Sequence, residues 1–309
     1  AVQLDGLSWP TADGSANQAL VTDGSAALSW ASVATDLDGL SDAKSGGSNF
    51  SNSIIIGHQT TGTLNNADEN TGLGFGSLQS ITSGDRNTAI GKESMTSNTT
   101  GNYNAGLGYQ SLYSNTTGGF NTATGNAALS LNTEGSSNTG IGHRALNSNT
   151  TGNLNVAVGR RALYSTTTSR FNLAIGSYAL EDANRTSDTD GYNTALGYNA
   201  GNTGTNDVTT GNKNTLLGAS TAASAAAGTN QTVIGYGASG VANNSVTIGN
   251  SSVTAWYPGA DNTADLGSSS VEFKDLYIDG TANLDAVDID GGAIDGAAIG
   301  ANSATTGDF

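Results

Sequence analysis

The sequence predicts an all-β chain: a parallel β-solenoid, or β-roll, of about twelve coils, mostly 17-residue repeats, that packs with further chains. Three observations lead there. A glycine recurs at a fixed short interval, side-chain columns stay in phase with it, and the composition is poor in charge and proline but rich in Gly, Asn, Thr, Ser and Ala.

The register glycine comes first. It stands at Gly57, Gly74, Gly91, Gly108, Gly125, Gly142, Gly159 and Gly176, seven successive intervals of 17 residues. It then recurs at Gly197, Gly218, Gly235 and Gly249, at intervals of 21, 21, 17 and 14. A period this short with residues that disfavour helix means stacked β-coils. The chain accordingly divides into an N-terminal hairpin or shaft segment (1–52), the solenoid (53–253) and a C-terminal shaft segment (254–309).

Columns assign each side of the coil. The residue before the glycine reads Ile56, Leu73, Ile90, Leu107, Ile141, Val158, Ile175 and Leu196, and four after it come Leu78, Met95, Leu112, Leu129, Leu146, Leu163 and Leu180. Both columns are expected inside. Four before the glycine, Asn70, Asn87, Asn104, Asn121, Asn138, Asn155, Asn172 and Asn193 are spaced for a ladder of stacked amides. "NTTG" at 98–101, 115–118 and 149–152 reads as turn chemistry with glycine at positive φ. The 21-residue units carry polar insertions expected on the surface.

Assembly is read from the small column. Gly72, Ala89, Gly106, Ala123, Gly140, Ala157 and Ala174 stand two before the glycine, and on the parity that buries the aliphatic column they face outward. A face of Ala and Gly admits another backbone closely. Two large apolar residues per coil are little burial for the chain they must order, so a second buried surface, between chains, is expected.

Units such as "NTAIGKESM", and above all "QTVIGYGASGVANNSVTIGNSSV" (231–253), resemble the head repeats of trimeric autotransporter adhesins. That resemblance implies a left-handed parallel β-roll with three chains about one axis. The N-terminal "GLSWPTADGSANQALVTDGSAALSWASV", in which "LSW" occurs at 7–9 and 28–30, reads as hairpins and resembles bacteriophage tail-fibre shafts. "YPGADNTADLGSSSVEFKDLYIDGTANL" (257–284) is similar to them again. The start at Ala1 and the close on "SATTGDF" read as a piece of a longer protein.

The expected role is therefore a structural fibre, a rigid trimeric shaft serving host-surface attachment. It would be extracellular, in a virion or at a bacterial surface. Its partners would be itself, other fibre or virion proteins at its ends, and a host surface glycan or protein. The alternatives are a bacterial adhesin or filament subunit, and a single-chain ligand- or ice-binding solenoid. Ten basic against 26 acidic residues, net charge −16, speak against nucleic acid, and no apolar run suggests membrane insertion.

No catalytic, metal or cofactor site is expected, and no enzymatic activity. His58 and His143 fall in a variable row after the glycine. Asp285, Asp288, Asp290 and Asp295 lack the chelating pattern of a Ca²⁺ loop. A threonine column (Thr82, Thr99, Thr116, Thr133, Thr150, Thr167) raises the ice-binding rival, but its neighbours are Thr-Thr rather than Thr-x-Thr. Asn98, Asn115 and Asn149 head Asn-x-Ser/Thr triplets that suit glycosylation. Tyr103, Phe120, Phe171 and Tyr192, with Tyr109 and Tyr198 in the row after the glycine, form aromatic rows fit for packing or for binding sugars.

Overall fold

The computed structural model describes residues 3–4, 7–8, 10, 15, 18–22, 28–32, 43–45, 49–57, 63–184, 190–257, 266–268, 270–275 and 277–279. The chain forms two compact units, Ala1–Thr254 and Ala255–Phe309.

Twelve strands run parallel in one sheet, one per coil and in chain order. They are β6 (Ile54–Ile56), β7 (Thr71–Leu73), β8 (Thr88–Ile90), β9 (Ala105–Leu107), β10 (Thr122–Thr124), β11 (Thr139–Ile141), β12 (Val156–Val158), β13 (Leu173–Ile175), β14 (Thr194–Leu196), β15 (Thr215–Leu217), β16 (Gln231–Ile234) and β17 (Ser245–Ile248). A thirteenth, β5 (Ala43–Ser45), closes the sheet by pairing antiparallel to β6. N-terminal to it, β1 (Gln3–Leu4) pairs antiparallel with β2 (Leu7–Ser8), and β3 (Gln18–Thr22) with β4 (Leu28–Ser32), so Leu7–Ser8 and the "LSW" at 28–30 lie in antiparallel pairs. No described residue is helical.

Register follows the repeat. Thr88, Ala89 and Ile90 pair with Ala105, Gly106 and Leu107, one 17-residue period on. Only three or four residues per coil are strand, but backbone hydrogen bonds between coils continue around the turns. The Met95 amide donates to Ser111, that of Thr99 to Thr116 and that of Tyr103 to Asp85. Each coil is thus held to its neighbours on several sides, which is how a coil with so little apolar mass stays ordered.

The Gly and Asn columns are positioned as expected. The register glycines from Gly57 to Gly235 have φ between 122° and 144°, a region open to glycine alone. Space imposes the same choice: a Cβ on Gly91 would lie 2.6 Å from the carbonyl oxygen of Gly108. In the asparagine ladder, Asn104 Nδ2 donates to Asn87 Oδ1 (3.1 Å) and to the Gly118 carbonyl (2.8 Å), while the Asn104 amide also reaches Asn87 Oδ1 (3.0 Å). The same pattern recurs along the column from Asn87 to Asn155. Each buried amide therefore uses both donors and both acceptor lone pairs.

The expected interior is half right. Leu78, Met95, Leu112, Leu129, Leu146, Leu163 and Leu180 are fully buried. The aliphatic column is not: Leu73, Ile90, Leu107, Ile141, Ile175 and Leu196 are between 37% and 49% exposed, and Ile56 and Val158 are half-buried. The small column faces inward instead. Ala89, Ala123, Ala157 and Ala174 are 0% exposed, and Gly72, Gly106 and Gly140 are buried with them.

Lumen size is the cause. The leucine four after the glycine already fills it, and a Cβ on Gly106 would stand 3.0 Å from Met95 Cε, on Gly140 3.3 Å from Leu129 Cγ. Only Ala or Gly fits opposite. Where the inward strand residue becomes large, as at Leu216 and Val233, the other column shrinks to Gly201, Ala222 and Ser239. A Cβ on Gly201 would come within 2.9 Å of Leu216 Cδ1. The outer aliphatic column shows no such exchange, since Leu217 and Ile234 stay large.

The second unit, described in part, holds an antiparallel bridge between Ser268 and Val271, and its described side chains are exposed, including Tyr257 and Tyr277.

Candidate functional surface

Each three-residue strand from β6 to β15 presents its first and third residues outward, and the four-residue β16 its second and fourth. The outer columns read Ile54, Thr71, Thr88, Ala105, Thr122, Thr139, Val156, Leu173, Thr194, Thr215, Thr232 and, beside them, Ile56, Leu73, Ile90, Leu107, Thr124, Ile141, Val158, Ile175, Leu196, Leu217 and Ile234. None is charged, although the chain has 36 Lys, Arg, Asp and Glu (10 + 26). Twelve strands at the usual spacing make this stripe about 50 Å long, and its area is roughly 500 Å². An uncharged stripe of that size matches the largest patch an ordinary monomer leaves open, and patches of that kind are often interaction surfaces.

The polar columns elsewhere are spent on stacking. Asn98, Asn115, Asn132 and Asn149 are 0% exposed and form a second amide ladder, Asn115 Nδ2 donating to Asn98 Oδ1 at 2.7 Å and Asn132 Nδ2 to Asn115 Oδ1 at 2.7 Å. Sequon asparagines so buried are not accessible for glycosylation in the folded chain. The glycines of "NTTG" (Gly101, Gly118, Gly152) are not at positive φ; a Cβ on Gly101 would strike the carbonyl oxygen of Gly118. They are glycine because coils approach closely there, not because the turn requires it.

Thr82, Thr99, Thr116, Thr133 and Thr150 each donate the hydroxyl to the carbonyl of the equivalent threonine one coil on, at 2.9–3.1 Å. That commits the hydroxyl protons within the stack rather than to an ice lattice. Another column carries side-chain acceptors for backbone amides: Asp68 Oδ1 accepts from Ser51, Asp85 from Asp68 and Asn102 from Asp85. The Ser51 hydrogen bonds, with a smaller contribution from Arg86, hold the Asp68 carboxyl below its ordinary pKa.

The aromatic rows stack on themselves. Tyr103 and Phe120 lie 4.8 Å apart and Phe171 and Tyr192 5.0 Å apart, with ring planes within 7° and 2° of parallel. Arg86 sits 5.2 Å over Tyr103 and donates to its hydroxyl and to Glu69. Glu69 in turn raises the Arg86 pKa. Each ring of a stacked pair has one face covered by its partner.

His143 is exposed, while His58 and the aspartates at 285, 288, 290 and 295 lie outside the described residues. Among the described residues no three His, Asp or Glu side chains gather as a metal site, and no helix is long and apolar enough to cross a membrane. A scan against known protein families finds no match for this chain, and a search of curated proteins finds none. The surface must therefore be read from its own chemistry.

Two features escaped the sequence. One is the second amide ladder, hidden because "NTT" looks like a turn. The other is a set of three non-glycine columns at positive φ: Leu112, Gln110 and Tyr103 stand at 51°, 54° and 58°, and their equivalents recur along the solenoid. A signal for the second was present. In a threonine-rich chain these columns hold Leu, Met, Glu, Gln, Arg, Tyr, Phe, Ser and Ala but no Thr, Val or Ile from Glu69 to Leu180. β-Branched residues tolerate that region worst.

Proposed function

We propose that the chain is a rigid shaft segment of a homotrimeric extracellular fibre, of the kind tail fibres use to reach a host surface, and that its copies pack through the Thr-x-Ile face. The observation that carries this is the uncharged stripe on the sheet. Its aliphatic column stays large even where the lumen's packing changes, so the interior does not explain it. A periodic face matches a second copy of itself in register all along its length, whereas an unrelated partner would match it at isolated points.

The small column no longer supports this reading, because Ala89, Ala123 and Ala157 are spent inside the coil. The exposed aliphatic column replaces it. The ladders supply the property a shaft needs: a stack in which each coil is bonded to the next by buried amides resists bending and local opening. The tail-fibre assignment rests on the resemblance of 257–284 and of the N-terminal hairpins, and on the acidic, uniform surface.

Native molar mass by light scattering tests it, together with electron microscopy of single particles. Three times the mass of one chain and a rod with a straight segment of about 50 Å are expected. A stable monomer in dilute buffer would overturn the fibre and leave a single-chain solenoid with an open face.

A further inference from the structure

The row that follows the register glycine runs along the solenoid, and at the 21-residue coils it passes a shallow depression open to solvent. That depression has a volume of about 340 Å³ and is lined by Tyr178, Glu181, Tyr198, Asn199, Asn202 and Thr203. We propose that it binds one neutral pyranose unit of a glycan.

Each wall has the chemistry of a sugar site. Tyr178 and Tyr198 meet edge to face, 6.1 Å between centroids and 88° between planes. Arg160 lies 5.2 Å over Tyr178, which fixes that ring, while Tyr198 is 55% exposed. An exposed ring is a platform for the C–H face of a pyranose, whose hydroxyls then point sideways to polar groups. In the stacked pairs Tyr103–Phe120 and Phe171–Tyr192 one face of each ring is spent on its partner.

The polar groups are held ready. Glu181 Oε2 accepts from Asn202 Nδ2 at 2.8 Å, and Oε1 lies 2.6 Å from Arg161 Nε. The carboxylate is thereby oriented with lone pairs left for sugar hydroxyls. The Asn199 side-chain amide has no hydrogen-bond partner among the described residues, and it offers both a donor and an acceptor. The rim is built too: Asp207 Oδ1 accepts from the amides of Thr203 (2.5 Å) and Gly204 (2.7 Å), closing the inserted loop.

Size and charge select the ligand class. The volume, at the small end of ligand pockets and open on one side, seats one ring of a glycan. The carboxylate in the wall and the net charge of −16 disfavour acidic sugars. The insertion explains the location: this coil has 21 residues where the regular coil has 17, and the extra residues raise the Thr203–Asp207 rim.

The test is saturation-transfer NMR on the intact chain with free glucose, galactose, mannose and N-acetylglucosamine, with N-acetylneuraminic acid as the acidic control. Transfer to at least one neutral sugar is expected, at least tenfold weaker in Tyr198→Ala and unchanged in Tyr109→Ala, which alters the same row away from the depression. Should Tyr198→Ala melt early, Tyr198→Leu keeps the packing and gives the same comparison. No transfer to any neutral sugar, transfer to the acidic sugar alone, or transfer untouched by loss of the Tyr198 ring would each overturn the site. The proposal stands apart from fibre assembly, since a monomer that gives transfer supports the site while sinking the trimer.

Discussion

The coils from Gly74 to Gly176 and those from Gly197 to Gly249 share one sheet but are filled in opposite ways. In the first set a Leu or Met four after the glycine fills the lumen and the strand contributes Ala or Gly. In the second, Leu216 and Val233 on the strand do the filling, and Gly201, Ala222 and Ser239 make room. The polar columns part company at the same place. The second amide ladder stops at Asn149, whose buried Oδ1 has no partner, because the next coils offer Thr166 and Ala183. The first ladder passes through both 21-residue coils and ends on Gln231, whose longer side chain turns to Ser224 and Asn243 instead.

That difference teaches what the fold will trade. Lumen volume can move between columns, and loops can be inserted, provided the sheet register and one amide ladder continue. The outer Thr-x-Ile face is the feature common to both sets that the interior does not require.

The largest effect should come from Leu129→Asp, which places a charge among fully buried leucines in the uniform region. A loss of about 4 kcal/mol or more is expected, and hydrogen exchange should show neighbouring coils opening with it. A strictly local loss of protection would break the picture of a shared core. Ala157→Phe overfills the same lumen and should cost about 3 kcal/mol in denaturant melts, whereas Arg160→Phe, three residues on and outside, should be near neutral.

The ladders sharpen the comparison next. Asn121→Ala orphans the Asn138 backbone amide and removes one of the two donors on the Gly135 carbonyl, and should cost about 3 kcal/mol, while Gln231→Ala, at the looser end, should cost about half as much. Equal costs would mean that the irregular coils are held as tightly as the uniform ones. Glycines should divide similarly. Gly125→Ala meets the Gly142 carbonyl at 2.7 Å as well as an adverse φ, whereas Gly204→Ala, with nothing within 4 Å, bears only the φ penalty of about 1 kcal/mol.

The smallest effect is the pH dependence at Asp68. Its carboxyl is held below the ordinary value by Ser51, so its contribution is fully present above the usual carboxylate range and is lost as pH falls through its own lowered value. A melting series from neutral to acid pH should show Asp68→Asn losing less stability than the parent over that window.

Much of the architecture could be read from the sequence because the period is nearly invariant. The spacing of glycines gave the coil, and Asn70 to Asn214 gave a ladder, since both are fixed by backbone geometry at the 4.8 Å strand repeat. The parity of the strand is not legible from hydrophobicity. Hydrophobicity alone places Ile90 and Ile141 inside and Ala89 and Ala157 outside, although alternation fits either assignment equally well. The reciprocal sizes of Leu216 and Gly201 would have settled it, because only residues that share a lumen must compensate. The depression at Tyr198 was legible only as an aromatic row, because its rim depends on how an inserted loop folds back.

Molar mass of Ile141→Lys by light scattering, beside the parent, tests the central claim most directly. Ile141 is 39% exposed on the outer face, so the substitution should leave the coil's circular dichroism and intrinsic fold intact. The account predicts a parent at three chain masses and a folded variant at one. A variant that stays trimeric, or that unfolds as Leu129→Asp does, would contradict the Thr-x-Ile face as the surface on which the fibre assembles.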